Sequence, residues 1–187
     1  MIILITGGSG SGKSEFAENF AVCIHEKEKQ GTLFYLATMI PRDEESIRRI
    51  GRHREMRKNK GFITRECFWK INDMAEQFKP GDTILIECMS NLLANEMYET
   101  DGGIRKRGNA GRMQAEQVII EPVLRMGQDK NIVIVTNEVF SDGRIYDEET
   151  ARYLEYLGYI NAKLGQRADE VWEVVCGIPV KVKRISI

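Results

Sequence analysis

The sequence predicts an α/β fold, a mostly parallel central sheet covered by helices on both faces in three layers. Short runs of Ile, Val and Leu alternate along the chain with longer segments in which apolar residues recur at helical spacing. Strands separated by helical segments form right-handed β-α-β units, in which the strands are parallel and buried. The length of 187 residues suits one domain, which we expect to span residues 1–187.

The first half of the chain contains five predicted elements. Residues 1–6 form an apolar run typical of a buried strand, and residues 14–29 carry an apolar stripe typical of a helix. Residues 32–37 and 82–88 predict two further strands. Residues 41–60 are polar and charged, and they predict a helix followed by a loop.

The second half closes the sheet. Its predicted elements are helices over residues 111–126 and 148–165 and strands over 131–136, 171–176 and 178–182. Gly177 between the last two strands predicts a hairpin or a bend. The glycine-rich residues 99–110 predict a loop that is either mobile or crosses between subunits.

Composition and charge exclude several classes of protein. The chain has 27 Lys and Arg against 28 Asp and Glu, a formal net charge of −1, whereas dedicated binders of nucleic acids or anionic membranes rely on excess positive charge. The sequence contains no run of 18 apolar residues, so we expect no membrane span. The amino terminus lacks the features of a signal peptide. The four cysteines form no C-x-x-C pair, which is typical of reduced thiols rather than a metal site. We therefore expect a cytoplasmic protein that binds no nucleic acid.

The most specific motif follows the first predicted strand. It reads G-G-S-G-S-G-K-S and satisfies the phosphate-loop pattern G-x-x-x-x-G-K-[ST]. Its residues are Gly7, Gly8, Ser9, Gly10, Ser11, Gly12, Lys13 and Ser14. Backbone N–H groups of such a loop and of the following helix bind phosphate oxygens. We expect Lys13 to reach the β- and γ-phosphates as a catalytic group and the Ser14 hydroxyl to bind Mg²⁺.

Two predicted strands end in polar residues that would share a crevice with this loop. Glu87 closes the run I-L-I-E, and Asn137 and Glu138 follow I-V-I-V-T. Glu87 is a candidate for coordinating Mg²⁺ or its water shell, and Asn137 with Glu138 for contacts to substrate or nucleotide. For either carboxylate the alternative is a satisfied polar group at a strand end.

A basic segment follows the second strand. Residues 42–60 contain eight Lys and Arg and four Asp and Glu, so their net charge is 8 − 4 = +4. Positive charge beside a phosphate loop suits a polyphosphate substrate, and the alternative is a solvated helical face. His53 lies in this segment, and a neutral imidazole nitrogen can attack phosphorus to form a phosphoramidate. The alternative for His53 is an exposed bystander.

Several motifs along the chain together resemble one family. They are I-L-I-T-G-G-S-G-S-G-K-S at the start, L-A-T after the second strand, R-I-G-R-H-R around His53, R-E-C at residues 65–67, L-I-E-C, V-T-N-E-V at 135–139 and A-D-E-V-W-E-V-V-C-G-I-P-V-K-V-K near the end. The chain resembles, nearly end to end, the bifunctional adenosylcobinamide kinases and adenosylcobinamide-phosphate guanylyltransferases of cobalamin synthesis. The phosphate loop alone is unspecific, whereas T-N-E-V together with the terminal motifs is selective.

The resemblance implies a cytoplasmic P-loop NTPase-like domain that forms a homotrimer. It implies phosphorylation of adenosylcobinamide by ATP or GTP, and then transfer of GMP from GTP to adenosylcobinamide phosphate through a histidine-bound GMP. By position, His53 would accept GMP, and the phosphate loop would hold the phosphates with Mg²⁺. The rest of the GTP site would be Thr38, Met39, Ile40, Arg54, Glu55, Met56, Arg57, Glu66 and Glu87.

The chain departs from the family pattern in three places. Some members carry two adjacent histidines where this chain has Arg52 and His53. If the reactive histidine is the first of that pair, its position here is Arg52, which argues against guanylylation; the alternative is His53, the histidine that this segment offers. Phe62 stands where a tryptophan often follows the basic helix. After T-N-E-V the family often has a G-x-G turn, whereas this chain has F-S-D at residues 140–142.

Two other functions fit the same motifs. A P-loop small-molecule kinase would phosphorylate a corrinoid without any use of His53. A nucleotide-gated binding module would bind GTP without turnover, although the sequence has no obvious effector segment.

Overall fold

The computed structural model describes residues 1–100 and 103–184. The strands are Ile2–Thr6 (β1), Leu33–Ala37 (β2), Ile63–Glu66 (β3), Thr83–Glu87 (β4), Asn131–Val135 (β5), Glu170–Val175 (β6) and Ile178–Arg184 (β7). The helices are Lys13–Glu28 (α1), Glu44–Arg57 (α2), Met89–Tyr98 (α3), Gly108–Ala115 (α4), Glu121–Met126 (α5) and Glu148–Arg167 (α6). A 3₁₀-helix covers Ile71–Gln77, and a π-helical turn, Glu116–Ile120, joins α4 to α5.

The strands form one sheet in the order β3-β2-β4-β5-β1-β6-β7. All neighbouring pairs are parallel except β6 and β7, which form the predicted antiparallel hairpin. β1 lies between β5 and β6, so that Ile3 stands opposite Val133 on one side and Glu170 on the other. The carboxyl ends of β1, β4 and β5 therefore open at one edge, where open α/β sheets bind ligands.

Alternate residues of the central strands supply two separate cores. On one face, Ile5, Leu85 and Val133 pack with Ala17 and Ala21 of α1. The opposite face packs Leu4, Leu36, Ile84, Ile86, Ile132 and Ile134 against buried residues of α3, α5 and α6. The sheet is thus buried on both sides, and the predicted three-layer α/β arrangement is confirmed.

Three elements of the structure were not predicted, namely β3, α3 and the 3₁₀-helix Ile71–Gln77, and the predicted loop over residues 99–110 is wrong in part. All four residues of β3 are exposed, because this strand lies at the sheet edge and needs no apolar run. α3 follows β4 directly, without a polar boundary that would separate the two. Within the predicted loop 99–110, Ile104 is fully buried and residues 108–110 begin α4. Residues 101–102 of that prediction lie outside the described residues.

The predicted helix over residues 111–126 is interrupted by the π-helical turn. Pro122 lies in the first turn of α5, directly after the π-helical turn, and proline has no backbone N–H to donate to the preceding helical turn. Among the described residues, none of the helices is long and apolar enough to cross a membrane.

Candidate active site

The phosphate loop turns sharply between β1 and α1. Gly12 precedes the first helical residue with a φ of 89°, in the left-handed region that favours glycine. Gly7 lies so close to β6 that an added Cβ would be 2.5 Å from the carbonyl oxygen of Val174. Glycine at these two positions therefore lets the loop turn tightly at the carboxyl end of β1.

Lys13 lies over this loop. Its side chain is nearly buried, and its ammonium group donates a hydrogen bond of 3.1 Å to the carbonyl oxygen of Gly8. Burial lowers the pKa of Lys13, while the neighbouring groups of Cys88 and Glu87 oppose that shift. The Lys13 cation is thus held at the site where the sequence predicts the phosphates.

Ser14 connects the phosphate loop to the end of β4. Its hydroxyl donates a short hydrogen bond to Oε1 of Glu87, whereas the buried Oε2 of Glu87 has no hydrogen-bond partner. Burial raises the pKa of Glu87, and the Ser14 hydrogen bond and the Lys13 charge oppose this. A hydroxyl and a carboxylate oxygen, one of them unpartnered, are ligands that suit Mg²⁺.

A cleft of about 310 Å³ opens in front of these groups. The predicted site residues that line it are Lys13, Ser14, Met39, His53, Arg54, Arg57, Glu66 and Glu87, and Asn137 lines it as well. Tyr35, Thr64 and Asn91 also line the cleft, although the sequence did not indicate them. The structure therefore brings the phosphate loop, the end of β4 and the inner face of α2 together.

His53 points from α2 into this cleft. Its side chain is 20% exposed, and its Nδ1 lies 3.9 Å from Oε1 of Glu87. Burial lowers the pKa of His53; the Glu18 carboxylate opposes this, and Arg57 and nearby arginines add to it. A lowered pKa favours the neutral imidazole, which is the form that can act as a nucleophile.

The basic charge of α2 is divided between two environments. Arg57 is the buried residue of the helix, and its guanidinium carbon lies 3.8 Å from the ring centre of Tyr35. Its Nη1 is buried without a hydrogen-bond partner, which leaves a donor for an anionic ligand. Arg48 and Arg52 are exposed, so α2 has a solvated face as well as the face that carries Arg57 and lines the cleft.

Other predicted residues lie outside the lining of the cleft. Thr38 is fully buried, and its hydroxyl accepts from the Cys88 N–H at 2.6 Å and donates to the Cys88 carbonyl at 2.9 Å. Glu55 is exposed and pairs with Lys58 on the outer face of α2. Glu138 accepts hydrogen bonds from the backbone N–H of Phe140 and from the hydroxyl of Ser141. The alternative of a satisfied polar group therefore fits Glu138. Ile40 and Met56 do not line the cleft either.

Sequence analysis missed an ion pair behind His53. Glu18 on α1 is completely buried, and Lys60 lies 2.8 Å from its Oε2. The signal that could have revealed Glu18 is its spacing, because Ser14, Glu18 and Ala21 recur on one helical face. A carboxylate on the buried face of the phosphate-loop helix is unusual enough to mark a site.

Comparisons with known proteins show similarity along nearly the whole chain. Residues 3–182 match the family model described as cobinamide kinase / cobinamide phosphate guanyltransferase. The bifunctional adenosylcobalamin biosynthesis protein CobU of Salmonella typhimurium is 32% identical over 191 residues, covering 98% of this chain and all of that protein. Its counterpart CobP of Pseudomonas aeruginosa is 26% identical over 180 residues and covers 96% of each chain.

A solved structure independently supports the fold. It is an ATPase domain that superposes with a TM-score of 0.54 at 12% sequence identity, over 92% of this chain and 68% of that one. At so low an identity the likeness concerns the fold alone. The predicted P-loop NTPase-like architecture is thereby confirmed.

Proposed function

This chain belongs to the cobinamide kinase / cobinamide phosphate guanyltransferase family, and from that membership we propose how its two reactions use one cleft. The enzyme phosphorylates adenosylcobinamide and transfers a guanylyl group to the product. What we propose is the role of each residue, the histidine-bound GMP, the magnesium ion and the assembly.

In the proposed kinase step, the phosphate loop binds the triphosphate of ATP or GTP through its backbone N–H groups. Lys13 stabilises the charge that develops on the transferred γ-phosphoryl group. Ser14 and Glu87 would hold Mg²⁺, which supplies neutralisation of the phosphate charge when bound. The oxygen of the substrate hydroxyl forms a bond to the γ-phosphorus and its proton leaves to solvent, while the bond from that phosphorus to the leaving nucleoside diphosphate breaks.

In the proposed guanylyl step, His53 is the acceptor of GMP. A ring nitrogen attacks the α-phosphorus of GTP, and the bond from that phosphorus to pyrophosphate breaks. Arg57, with its unpartnered Nη1, is suited to neutralise charge on the reacting phosphate. A phosphate oxygen of adenosylcobinamide phosphate then displaces the histidine and yields adenosylcobinamide-GDP.

One observation supports this proposal most strongly. Nδ1 of His53 lies 3.9 Å from the same Glu87 carboxylate that is hydrogen-bonded to Ser14 of the phosphate loop. A histidine at that distance is within reach of a triphosphate bound by the loop. The nearby Met39, Arg54 and Glu66 line the same cleft, and we propose that they contact the nucleoside of GTP.

The test uses GTP labelled at the α-phosphate and a pair of histidine variants. We expect the wild-type protein and His25→Ala to retain an acid-labile label, and His53→Ala to retain none. His53→Ala should still phosphorylate adenosylcobinamide from a γ-labelled triphosphate. Label that persists in His53→Ala would refute the role of His53, and absence of label in every protein would favour direct transfer.

The remaining proposals concern the assembly and its location. We propose a cytoplasmic homotrimer, as the family resemblance implies. Light scattering on the purified protein should then give three times the chain mass of 21.4 kDa. A mass equal to that of one chain would contradict the trimer without affecting the proposed chemistry.

A further inference from the structure

A buried carboxylate to which the proposed reactions give no role lies behind His53. Glu18 has no exposed surface, and its Oε1 has no hydrogen-bond partner. Nδ1 of His53 and Oε2 of Glu87 are also buried without a partner. One nitrogen or oxygen atom from each of the three residues lies within 4.8 Å of those of the other two. Unpaired polar groups inside a protein are costly, so their convergence calls for a shared proton or ion.

The two ring nitrogens of His53 differ in their surroundings. Nδ1 is sealed from solvent and lies 3.9 Å from Oε1 of Glu87, with Glu18 in the same three-residue group, while the ring itself lines the cleft. An ionised carboxylate can only accept a hydrogen bond, so a neutral imidazole facing it carries its proton on Nδ1. The lone pair then resides on Nε2, the nitrogen left for a substrate.

We propose that Glu18 is a positioning residue for guanylyl transfer, which accepts the Nδ1 proton of His53 and thereby keeps the Nε2 lone pair directed at the α-phosphorus. This inference rests on the proposed role of His53 as GMP acceptor. As the bond from Nε2 to phosphorus forms and pyrophosphate leaves, the ring becomes positively charged and retains its Nδ1 proton. The Glu18 carboxylate stabilises that charge until the second substrate displaces Nε2 and the electron pair returns to the ring.

Glu18 is better suited to this role than Glu87. Oε1 of Glu87 already accepts the Ser14 hydroxyl, and Glu87 is the proposed magnesium ligand. Lys60 binds Oε2 of Glu18 at 2.8 Å, which fixes the orientation of the carboxylate and leaves Oε1 free.

The Glu18 and His53 atoms are close but not yet within hydrogen-bond distance. Catalytic hydrogen bonds are often long in a free enzyme and shorten when substrate binds. Two glutamates and a histidine would also suit Zn²⁺. The Lys60 ammonium already compensates the Glu18 charge, which favours a shared proton over a metal ion.

The first experiment compares Glu18→Gln with Glu15→Gln, an equivalent change at an exposed position of the same helix. We measure the single-turnover rate of GMP labelling of the protein. Glu18→Gln should slow labelling by about 10²- to 10⁴-fold, as when an orienting carboxylate is removed from a catalytic histidine. The GTP concentration for half-maximal labelling should change little, and Glu15→Gln should match the wild type. Glu18→Asp, which keeps the acceptor, should recover part of the rate.

The second experiment reads the proton directly. The chain has two histidines, so the ¹⁵N NMR spectrum of ring-labelled His25→Ala protein reports on His53 alone. We expect the proton on Nδ1 in this protein and a shift towards Nε2 when Glu18→Gln is added, because a glutamine amide can donate to Nδ1.

The outcomes separate this inference from the function on which it rests. Label that survives in His53→Ala overturns both. A wild-type protein that is labelled, together with Glu18→Gln labelled at the same rate, overturns only the role of Glu18. A ring proton found on Nε2 of His53 in the His25→Ala protein also overturns the role of Glu18, and this result does not depend on whether Glu18→Gln folds. If the wild-type protein binds one equivalent of zinc and Glu18→Asp does not, the three residues form a metal site and the proposed hydrogen bond between Glu18 and His53 is wrong.

Discussion

Lys60 forms an ion pair of 2.8 Å with Glu18 and so joins the turn that follows α2 to the phosphate-loop helix α1. The pair is asymmetric, because Glu18 is fully buried whereas the Lys60 side chain is 22% exposed. α2 buries only Arg57 among its own residues. The position of His53 above the phosphate loop therefore depends on few contacts, and this ion pair is one of them.

Removal of the lysine should destabilise the fold. Lys60→Met leaves the buried Glu18 charge without its partner, and we expect a loss of about 2–4 kcal/mol in the free energy of unfolding, discounted for the exposure of Lys60. Lys58→Met is the matched control, because its partner Glu55 is on the surface. Urea unfolding of both variants measures the difference.

A second substitution checks the cause. Burial raises the pKa of Glu18, and the Lys60 hydrogen bond and charge oppose that rise. The double variant Lys60→Met with Glu18→Gln carries no buried charge at this site and should regain part of the lost stability. If it is less stable than Lys60→Met alone, the loss does not come from an unpaired Glu18.

If Glu87 binds magnesium, a substitution of Glu87 should raise the Mg²⁺ requirement of both the kinase and the guanylyl reaction. Glu87→Gln keeps the size of the side chain but removes its charge, so the Mg²⁺ concentration for half-maximal kinase activity should rise at least about tenfold. Guanylyl labelling should need more Mg²⁺ as well. Glu138→Gln is the control, since Glu138 also follows a strand end but caps its own loop. An unchanged Mg²⁺ requirement in Glu87→Gln would remove this residue from the site.

The parts of the site that could be predicted are those encoded by adjacent residues. The glycines, Lys13 and Ser14 form a contiguous motif, and Glu87 ends an apolar strand, so their meeting follows from the sheet topology. The ion pair between Glu18 and Lys60 joins residues 42 positions apart. Its formation depends on how α2 returns to α1 after β2, which no local pattern of residues encodes.

Some strands of the sheet could likewise be predicted from local sequence, and one could not. Buried strands such as β4 and β5 could be predicted because their apolar runs are continuous. β3 could not, because every residue in it is exposed and its backbone is paired only with β2. An edge strand of this kind is held by hydrogen bonds to its neighbour rather than by its own side chains.

Two helical glycines should respond to alanine in opposite directions. A Cβ at Gly111 would lie 2.0 Å from the Tyr156 hydroxyl oxygen, and that hydroxyl donates a partly buried hydrogen bond of 2.8 Å to the Lys106 carbonyl. Gly111→Ala should therefore cost about 1–3 kcal/mol of unfolding free energy. At Gly158 the nearest atoms to an added Cβ are ring carbons of Phe140 at 3.7 and 3.8 Å. Gly158→Ala should stabilise α6 by about 0.5–1 kcal/mol.

Thermal and urea unfolding of the two glycine variants provide the measurement. Both substitutions add one methyl group to a helix and change helix propensity in the same direction. Changes of opposite sign in the free energy of unfolding would therefore come from the surroundings of each glycine. Equal destabilisation by both would mean that Gly158 is packed more tightly than the structure describes.

The four cysteines should divide into two classes of reactivity. Cys23 and Cys176 are exposed, whereas Cys67 and Cys88 are buried. Burial raises the pKa of Cys67 to about 12, and burial raises the pKa of Cys88 as well. Because the thiolate is the reactive form, the buried pair should stay protonated and inert at pH 8. A thiol reagent such as DTNB should then modify two groups in the native protein and four in urea. Cys23→Ser and Cys176→Ser should each remove one native equivalent, and a third native group that reacts at a comparable rate would show that one of the two cores opens.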